Sequence, residues 1–178
     1  MMGGFLLVAH VEVRAGDPPI TTRIVPSPHG LVIEATTVIN APADRVAALA
    51  GNPDSFLELL PAEKVRVTGT RGQALLVEVT MRNPWPIGVV QWTETLLRHM
   101  ANDGKTFLVE REAKDGKYYR YMHAAWRISP REGNRCDVSY QVRMDPYAWV
   151  PKWSLRHGMT NGMTTTVERL RQLSQRAP

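Results

Sequence analysis

Residues 92–128 read WTETLLRHMANDGKTFLVEREAKDGKYYRYMHAAWRI, and this stretch decides the fold. Apolar and polar side chains alternate along it, which is the pattern of strands with one buried and one solvent-facing side. Two Asp-Gly pairs, Asp103-Gly104 and Asp115-Gly116, interrupt the alternation. Such pairs tolerate the positive φ that tight hairpin turns require. The stretch therefore predicts three antiparallel strands joined by two hairpins.

Two-residue turns at these positions would fix which residues face one another across the strands. In the first hairpin Leu96 would lie opposite Arg111, and in the second Arg111 would lie opposite Arg120. One face of the sheet would then be almost wholly apolar and should be buried. Its residues are Trp92, Leu96, Met100, Phe107, Val109, Tyr118, Met122, Ala124, Trp126 and Ile128.

Three charged residues, Glu94, Arg111 and Arg120, interrupt the apolar face. The predicted register places all three near one end of the sheet. Because a buried charge is costly unless it is paired, two guanidinium groups and one carboxylate would leave surplus positive charge for an anionic or strongly polar head group. The alternative is that the three residues lie at a solvated rim and have only a structural role.

The flanking sequence adds the remaining elements. Residues 31–40 alternate like a strand, and Pro42 and Asn52-Pro53 mark the starts of two short helices. Further strands are predicted up to Asp145, and an apolar residue recurs every three or four positions from Leu155 to Leu170, as on one face of a helix. The predicted fold class is therefore α+β, with a curved antiparallel sheet closed by a long C-terminal helix.

The sequence predicts two parts of the chain, with the boundary at residue 30. Residues 1–30 form an N-terminal extension, within which residues 5–13 and 20–25 have the pattern of strands. Residues 31–178 form the main domain.

The composition sets the broad class of the protein. With 178 residues, 43% hydrophobic and 22% charged, the chain has the length and balance of one globular domain. Its longest purely apolar run, Phe5–Ala9, is far short of the ~18 residues that a membrane-spanning helix needs. The net charge of +5 is not gathered in a Lys/Arg-dense run, which argues against nucleic acid as a partner. Cys136 is the only cysteine, and we expect a soluble protein of the reducing cytoplasm.

Motifs for catalysis and metal binding are missing from the sequence. It lacks the zinc motif His-Glu-x-x-His, the nucleophile elbow Gly-x-Ser-x-Gly, a phosphate-binding glycine loop and paired cysteines. The five histidines are scattered along the chain. We therefore predict no catalytic residue, no metal and no cofactor, and we favour a non-enzymatic binding protein.

Four short segments carry a further signal: Val38–Pro42 with Val46 after it, the loop Asn83–Ile87, the stretch Trp126–Pro130, and Met144–Trp153 before the terminal helix. Together they resemble the START lipid-transfer family, over roughly residues 31 to 175. That family belongs to the helix-grip superfamily, which also includes polyketide cyclases.

The resemblance implies an internal tunnel between the sheet and the final helix that holds one lipid, sterol or similar apolar molecule. The apolar pattern by itself is equally compatible with an ordinary packed core. Mapped onto the predicted inner face, the expected ligand-binding residues are Val77, Val79, Met81, Trp92, Glu94, Arg111, Arg120, Met122, Trp126, Tyr140, Met159, Met163 and Val167.

The final helix is expected to act as a gate to this tunnel. Gly158 and Gly162 would let another group approach its backbone closely, or would make the helix easier to move. Basic residues would favour transient contact with an anionic membrane surface. They are Lys152, Arg156, Arg169 and Arg171.

Two other functions stay open on the sequence. A polyketide cyclase or aromatase would use the same cavity, with Glu94 as general acid or base and Arg111 or Arg120 stabilising an enolate. Such an enzyme needs these charges inside the cavity rather than at its rim. A protein-interaction module would have a filled core that takes up no lipid.

Overall fold

A computed structural model describes residues 17–25, 27, 30–83 and 88–176, which form one antiparallel sheet and three α-helices. The strands are β1 (Thr21–Val25), β2 (Leu31–Ile39), β3 (Ala62–Arg71), β4 (Ala74–Asn83), β5 (Gly88–Met100), β6 (Phe107–Lys114), β7 (Tyr119–Arg131) and β8 (Arg135–Pro146). The helices are α1 (Ala43–Ala50), α2 (Phe56–Leu59), which follows a 3₁₀ turn at Pro53–Ser55, and α3 (Lys152–Gln175). The predicted fold class and order of elements are confirmed.

The eight strands of the sheet lie side by side in the order β1-β2-β8-β7-β6-β5-β4-β3. β1 coincides with the strand predicted at residues 20–25, and it pairs with β2 at one edge of the sheet. The strand predicted at residues 5–13 lies outside the described residues. The division of the chain at residue 30 stays a prediction.

The inner face of the sheet carries the apolar side chains, as the alternation predicted. Val79 of β4, Val109 of β6 and Trp126 of β7 are each at most 2% exposed. α1 packs against β6 and β7, α2 packs against β3, and α3 packs along β2 and against both short helices. Met100 was expected on this buried face but is 43% exposed, since it is the last residue of β5.

The two central hairpins differ in how well the sequence predicts them. In the first, Leu96 lies opposite Arg111, as predicted. In the second, Arg111 lies opposite Ala124 rather than Arg120, so the predicted register is wrong. The register differs by an even number of residues, and the assignment of side chains to the two faces of β7 therefore survives.

The connection between β6 and β7 explains the wrong register. It spans residues 115–118, and Asp115-Gly116 forms its first half rather than its centre. Asp115 adopts the positive φ, at 52°, and Gly116 does not. Gly116 provides space instead: a Cβ on it would lie 2.4 Å from Cζ of Tyr119. The Tyr119 ring therefore packs directly against the backbone of this turn.

A bulge at the start of β7 then decides which tyrosine points inward. The pairing of β7 with β8 is irregular between Tyr119 and Tyr121, and such an irregularity changes which side chains face the core. Tyr119 is 6% exposed. Tyr118, which was predicted to face the core, instead contacts the ring of Trp149 with centroids 5.6 Å apart. The prediction for Tyr118 is wrong because strict alternation does not hold here.

We expect Gly116→Ala to destabilise the protein by about 1–3 kcal/mol, the usual cost of forcing an extra group into a packed site. The added methyl group would collide with the Tyr119 ring, which is held between the turn and the core. The free energy of unfolding in urea measures this loss. Gly69→Ala in β3 is the matched control, because its Cβ would meet only Leu76 at an ordinary 3.9 Å. Equal effects of the two substitutions would contradict the packing described for Gly116.

Candidate functional site

A buried ion pair lies on the inner face of the sheet, between Glu94 of β5 and Arg111 of β6. Arg111 donates through Nε to Glu94 Oε1 at 2.6 Å and through Nη2 to Oε2 at 2.9 Å. The side chains of Arg111 and Glu94 are 5% and 0% exposed. Burial lowers the pKa of Arg111, but the charge and hydrogen bonds of Glu94, together with the nearby Tyr140 and Tyr119, more than offset this and the pKa is raised overall. The guanidinium group therefore stays protonated, and its partner in the ion pair is the Glu94 carboxylate.

Aromatic residues from three elements surround this pair. Trp92 Nε1 donates to Glu94 Oε2 at 2.8 Å, and the Phe56 ring of α2 lies 4.5 Å from the guanidinium carbon of Arg111. Burial raises the pKa of Tyr140, and the nearby guanidinium group of Arg111 opposes this effect. Cation–π contact and hydrogen bonds compensate part of the desolvation of the guanidinium group.

The Tyr119 hydroxyl is the exception within this cluster. It is closed off from water and has no hydrogen-bond partner among the described residues. Burial raises the pKa of Tyr119 to about 12; the negative charge of Glu94 adds to this effect and Arg111 opposes it. The charges of the ion pair therefore act on this hydroxyl, which stays protonated at neutral pH. Sequence reasoning missed Tyr119, because only the bulge in β7 brings it inward.

Arg120 does not belong to this cluster. Its side chain is 60% exposed, and it donates to Asp145 at 2.9 and 3.1 Å. The expectation that Arg111 and Arg120 together leave surplus positive charge is therefore wrong, since the register places Arg120 beyond the end of β6. The predicted rim location holds for Arg120 and is wrong for Glu94 and Arg111.

The other predicted ligand-binding residues divide into two groups by burial. Six lie within the hydrophobic core: Val77, Val79, Trp126, Tyr140, Met163 and Val167. Four are only partly buried although they lie on or near the inner face: Met81, Trp92, Met122 and Met159. Contact of any of these residues with a ligand stays a prediction.

The two halves of α3 differ in how they pack. Val167 and Leu170, in its second half, are fully buried, whereas Trp153 in its first turn is 75% exposed. A Cβ on Gly158 or Gly162 would meet nothing within 4 Å. No described residue approaches these glycines closely, and their role beside a ligand or in the movement of the helix stays a prediction.

Arg171 anchors the second half of α3 and is not a surface cation. It is 1% exposed, and its guanidinium donates to Glu168 at 2.8 Å, to the carbonyl oxygen of Pro18 at 2.7 Å and to the hydroxyl of Thr37. Arg171 therefore cannot contact a membrane as predicted. Arg156 is exposed and Arg169 is partly exposed, while the side chain of Lys152 is outside the described part of the chain.

We expect Glu94→Gln to lower the free energy of unfolding by about 3–5 kcal/mol, because it leaves the buried Arg111 charge unpaired. The double substitution Glu94→Gln with Arg111→Met should recover most of this loss, since it removes both charges. Urea denaturation of the two single variants and the double variant measures the coupling. Glu63→Gln is the control, because Glu63 pairs with Arg82 at the surface and its loss should matter much less. If Glu94→Gln lowered the free energy of unfolding no more than Glu63→Gln does, the pair would not be buried.

Comparison with solved structures confirms the fold. A STAR-related lipid transfer protein from Xanthomonas axonopodis superposes with a TM-score of 0.75 at 17% identity, over 93% of this chain and 97% of that one. Human StAR-related lipid transfer protein 5 superposes with a TM-score of 0.70 at 10% identity, over 91% of this chain and 88% of that one. The Zhui aromatase/cyclase from a Streptomyces species superposes with a TM-score of 0.59 at 14% identity, over 87% of this chain and 98% of that one. The similarity to START proteins inferred from the sequence is thus confirmed, with a helix-grip fold.

Sequence comparisons add the family. None of the proteins with curated functions matches this chain. Within the described residues, α3 and the shorter helices do not combine the length and apolar character of a transmembrane segment. Residues 31–175 match the family described as polyketide cyclase/dehydrase and lipid transport, and the chain therefore belongs to that family.

Proposed function

We propose that the protein binds a lipid, a sterol or another apolar small molecule between the inner face of the sheet and the first half of α3, and transfers it between membranes. The observation that carries this proposal is that Met81, Trp92, Met122 and Met159 remain partly accessible on or near the inner face, whereas Val79, Val109 and Trp126 of that face are closed off from water. Side chains of a filled core would be closed off from water. The family and the lipid-transfer proteins of similar fold support the same function.

The residues around this space suit an apolar guest. Three of the four accessible side chains are methionines, which are flexible and polarizable and can repack around ligands of different shape. Removing ~300 Å² of apolar ligand surface from water contributes roughly 7 kcal/mol before the costs of association. Apolar contact therefore provides enough affinity for a carrier.

The cyclase alternative is less well supported by the contacts of Glu94. The structure does place Glu94 and Arg111 in the interior, as an enzyme of this kind would need. However, Glu94 Oε1 accepts from Arg111, and Oε2 accepts from both Arg111 and Trp92. A carboxylate held in this way is poorly placed to exchange a proton with a substrate. Glu94→Gln, assayed at a temperature where the variant remains folded, tests the two functions, since it would abolish turnover in a cyclase and would alter ligand affinity without abolishing binding in a carrier.

The proposed binding function is tested by native mass spectrometry of the protein purified without detergent. We expect a co-purified apolar molecule, and we expect Met122→Trp to abolish its uptake by filling the space with a larger side chain. Thermal unfolding shows whether this variant keeps its fold.

The matched control for Met122→Trp is His123→Trp. It lies next along β7 but on the outer face, where His123 is within 3.4 Å of Glu110. This control should retain the ligand. A native protein that takes up no apolar molecule, or two variants that behave alike, would contradict the proposal.

Contact with a membrane is the second part of the proposal, and the segment 149–153 supports it. Trp149 and Trp153 are 63% and 75% exposed. Tryptophan favours the membrane–water interface, where its ring is apolar and its N–H can still bond. Lys117 lies 5.3 Å from the Tyr118 ring that contacts Trp149, and it adds positive charge beside this segment. Attraction to an anionic leaflet contributes up to ~1 kcal/mol per basic residue.

We expect the double variant Trp149→Ser with Trp153→Ser to bind anionic vesicles at least about tenfold more weakly, because two apolar anchors are lost. Vesicle co-sedimentation measures the partition. Leu57→Ser is the control, since Leu57 of α2 is 50% exposed outside this segment. Unchanged sedimentation of the double variant would exclude the segment as a docking site.

The cytoplasmic location stays part of the proposal. Cys136 is buried, and burial raises the pKa of its thiol to about 11. Such a thiol is unreactive, as expected for a structural cysteine in a reducing compartment.

A further inference from the structure

The interior polar cluster has no net charge. It contains one carboxylate, Glu94, and one guanidinium group, Arg111, in a two-point contact. An ionised head group that enters this space would lack a counter-charge, because the nearby Arg120 is outside and bound to Asp145. A buried unpaired charge is strongly unfavourable. The charge balance therefore disfavours fatty acids and other ionised ligands.

Most polar groups of the cluster already have a hydrogen-bond partner. Both oxygens of Glu94 accept hydrogen bonds, and Arg111 donates to Glu94 through two of its nitrogen atoms. The Trp92 N–H is bound to Glu94. The Tyr119 hydroxyl is buried and has no partner among the described residues. A buried polar group without a partner is destabilising, so an incoming acceptor would be favoured at this position.

The position of the Tyr119 ring is fixed by its surroundings. Gly116 lies directly against it, and the bulge in β7 directs it to the inner face. The hydroxyl is closed off from bulk water and no described residue bonds to it, so an oxygen atom of a ligand in the interior would serve as its partner.

We infer that Tyr119 determines head-group specificity, donating a hydrogen bond to the hydroxyl or carbonyl oxygen of an uncharged apolar ligand. This inference rests on the proposed function. It narrows the ligand to neutral alcohols, ketones or esters with a large apolar part, and it excludes ionised lipids from this position.

Three probes of equal chain length test the inference: hexadecane, palmitic acid and the corresponding methyl ketone. Binding is measured by competition in native mass spectrometry at about pH 8, where a carboxylic acid is ionised. The native protein should bind the ketone more tightly than the acid. Tyr119→Phe should weaken ketone binding by about three- to tenfold, the value of one hydrogen bond, and should leave hexadecane binding unchanged.

Tyr121→Phe is the matched control. Tyr121 lies on the same strand but pairs with Lys114 and Asp145 beyond the bulge, and it should have no effect on any probe. The thermal midpoint of Tyr119→Phe should be equal to or higher than that of the native protein, because the variant removes an unpaired buried hydroxyl.

The outcomes separate this inference from the proposed function. Failure of the native protein to bind any of the three probes would overturn the proposed function and the inference with it. Palmitic acid bound as well as the ketone, or ketone binding unaffected by Tyr119→Phe, would overturn the inference alone. If Tyr119→Phe weakened hexadecane binding as much as ketone binding, the inference would also be overturned, since the variant would then act through the shape of the site and not through a hydrogen bond.

Discussion

The ion pair between Glu94 and Arg111 constrains much of the structure around it. Two opposite charges that are closed off from water stabilise each other only if their geometry is kept, because the desolvation of each ion costs several kcal/mol. The pairing of β5 with β6 brings the two side chains within reach, and Phe56 covers the guanidinium group from α2. A slip of one residue between these strands would move one member to the outer face. The pair thus ties the register of the sheet to the position of a short helix.

Much of the fold follows from local patterns in the sequence. Alternation along β5 to β8 assigns the inner and outer faces, and the turn at Asp103-Gly104 sets the pairing of Leu96 with Arg111. These signals succeed because a strand with one buried side must place its apolar residues every second position. The apolar spacing after Pro151 likewise predicts α3.

The site was harder to predict, and a single turn accounts for most of the difference. Asp115-Gly116 has the composition of a tight hairpin, but its glycine is required for contact with the Tyr119 ring rather than for a positive φ. No local pattern distinguishes these two uses of glycine. The longer connection and the bulge that follows bring Tyr119 inside and leave Arg120 at the surface. Periodicity also cannot distinguish a filled core from an accessible one, since both require the same apolar face.

The anchoring of α3 at Arg171 has a mechanical consequence. The helix has 24 residues and is about 36 Å long, and its buried contacts with Pro18 and Thr37 are all near its carboxyl end. Because these contacts hold the carboxyl end, the region around Arg171 is the point about which α3 would tilt. A tilt of about 10° about Arg171 would displace the residues near Lys152 by roughly 5 Å while hardly disturbing those near Arg171. A tilt of this kind would widen the gap at the amino-terminal end of α3 while the contacts around Arg171 stay in place.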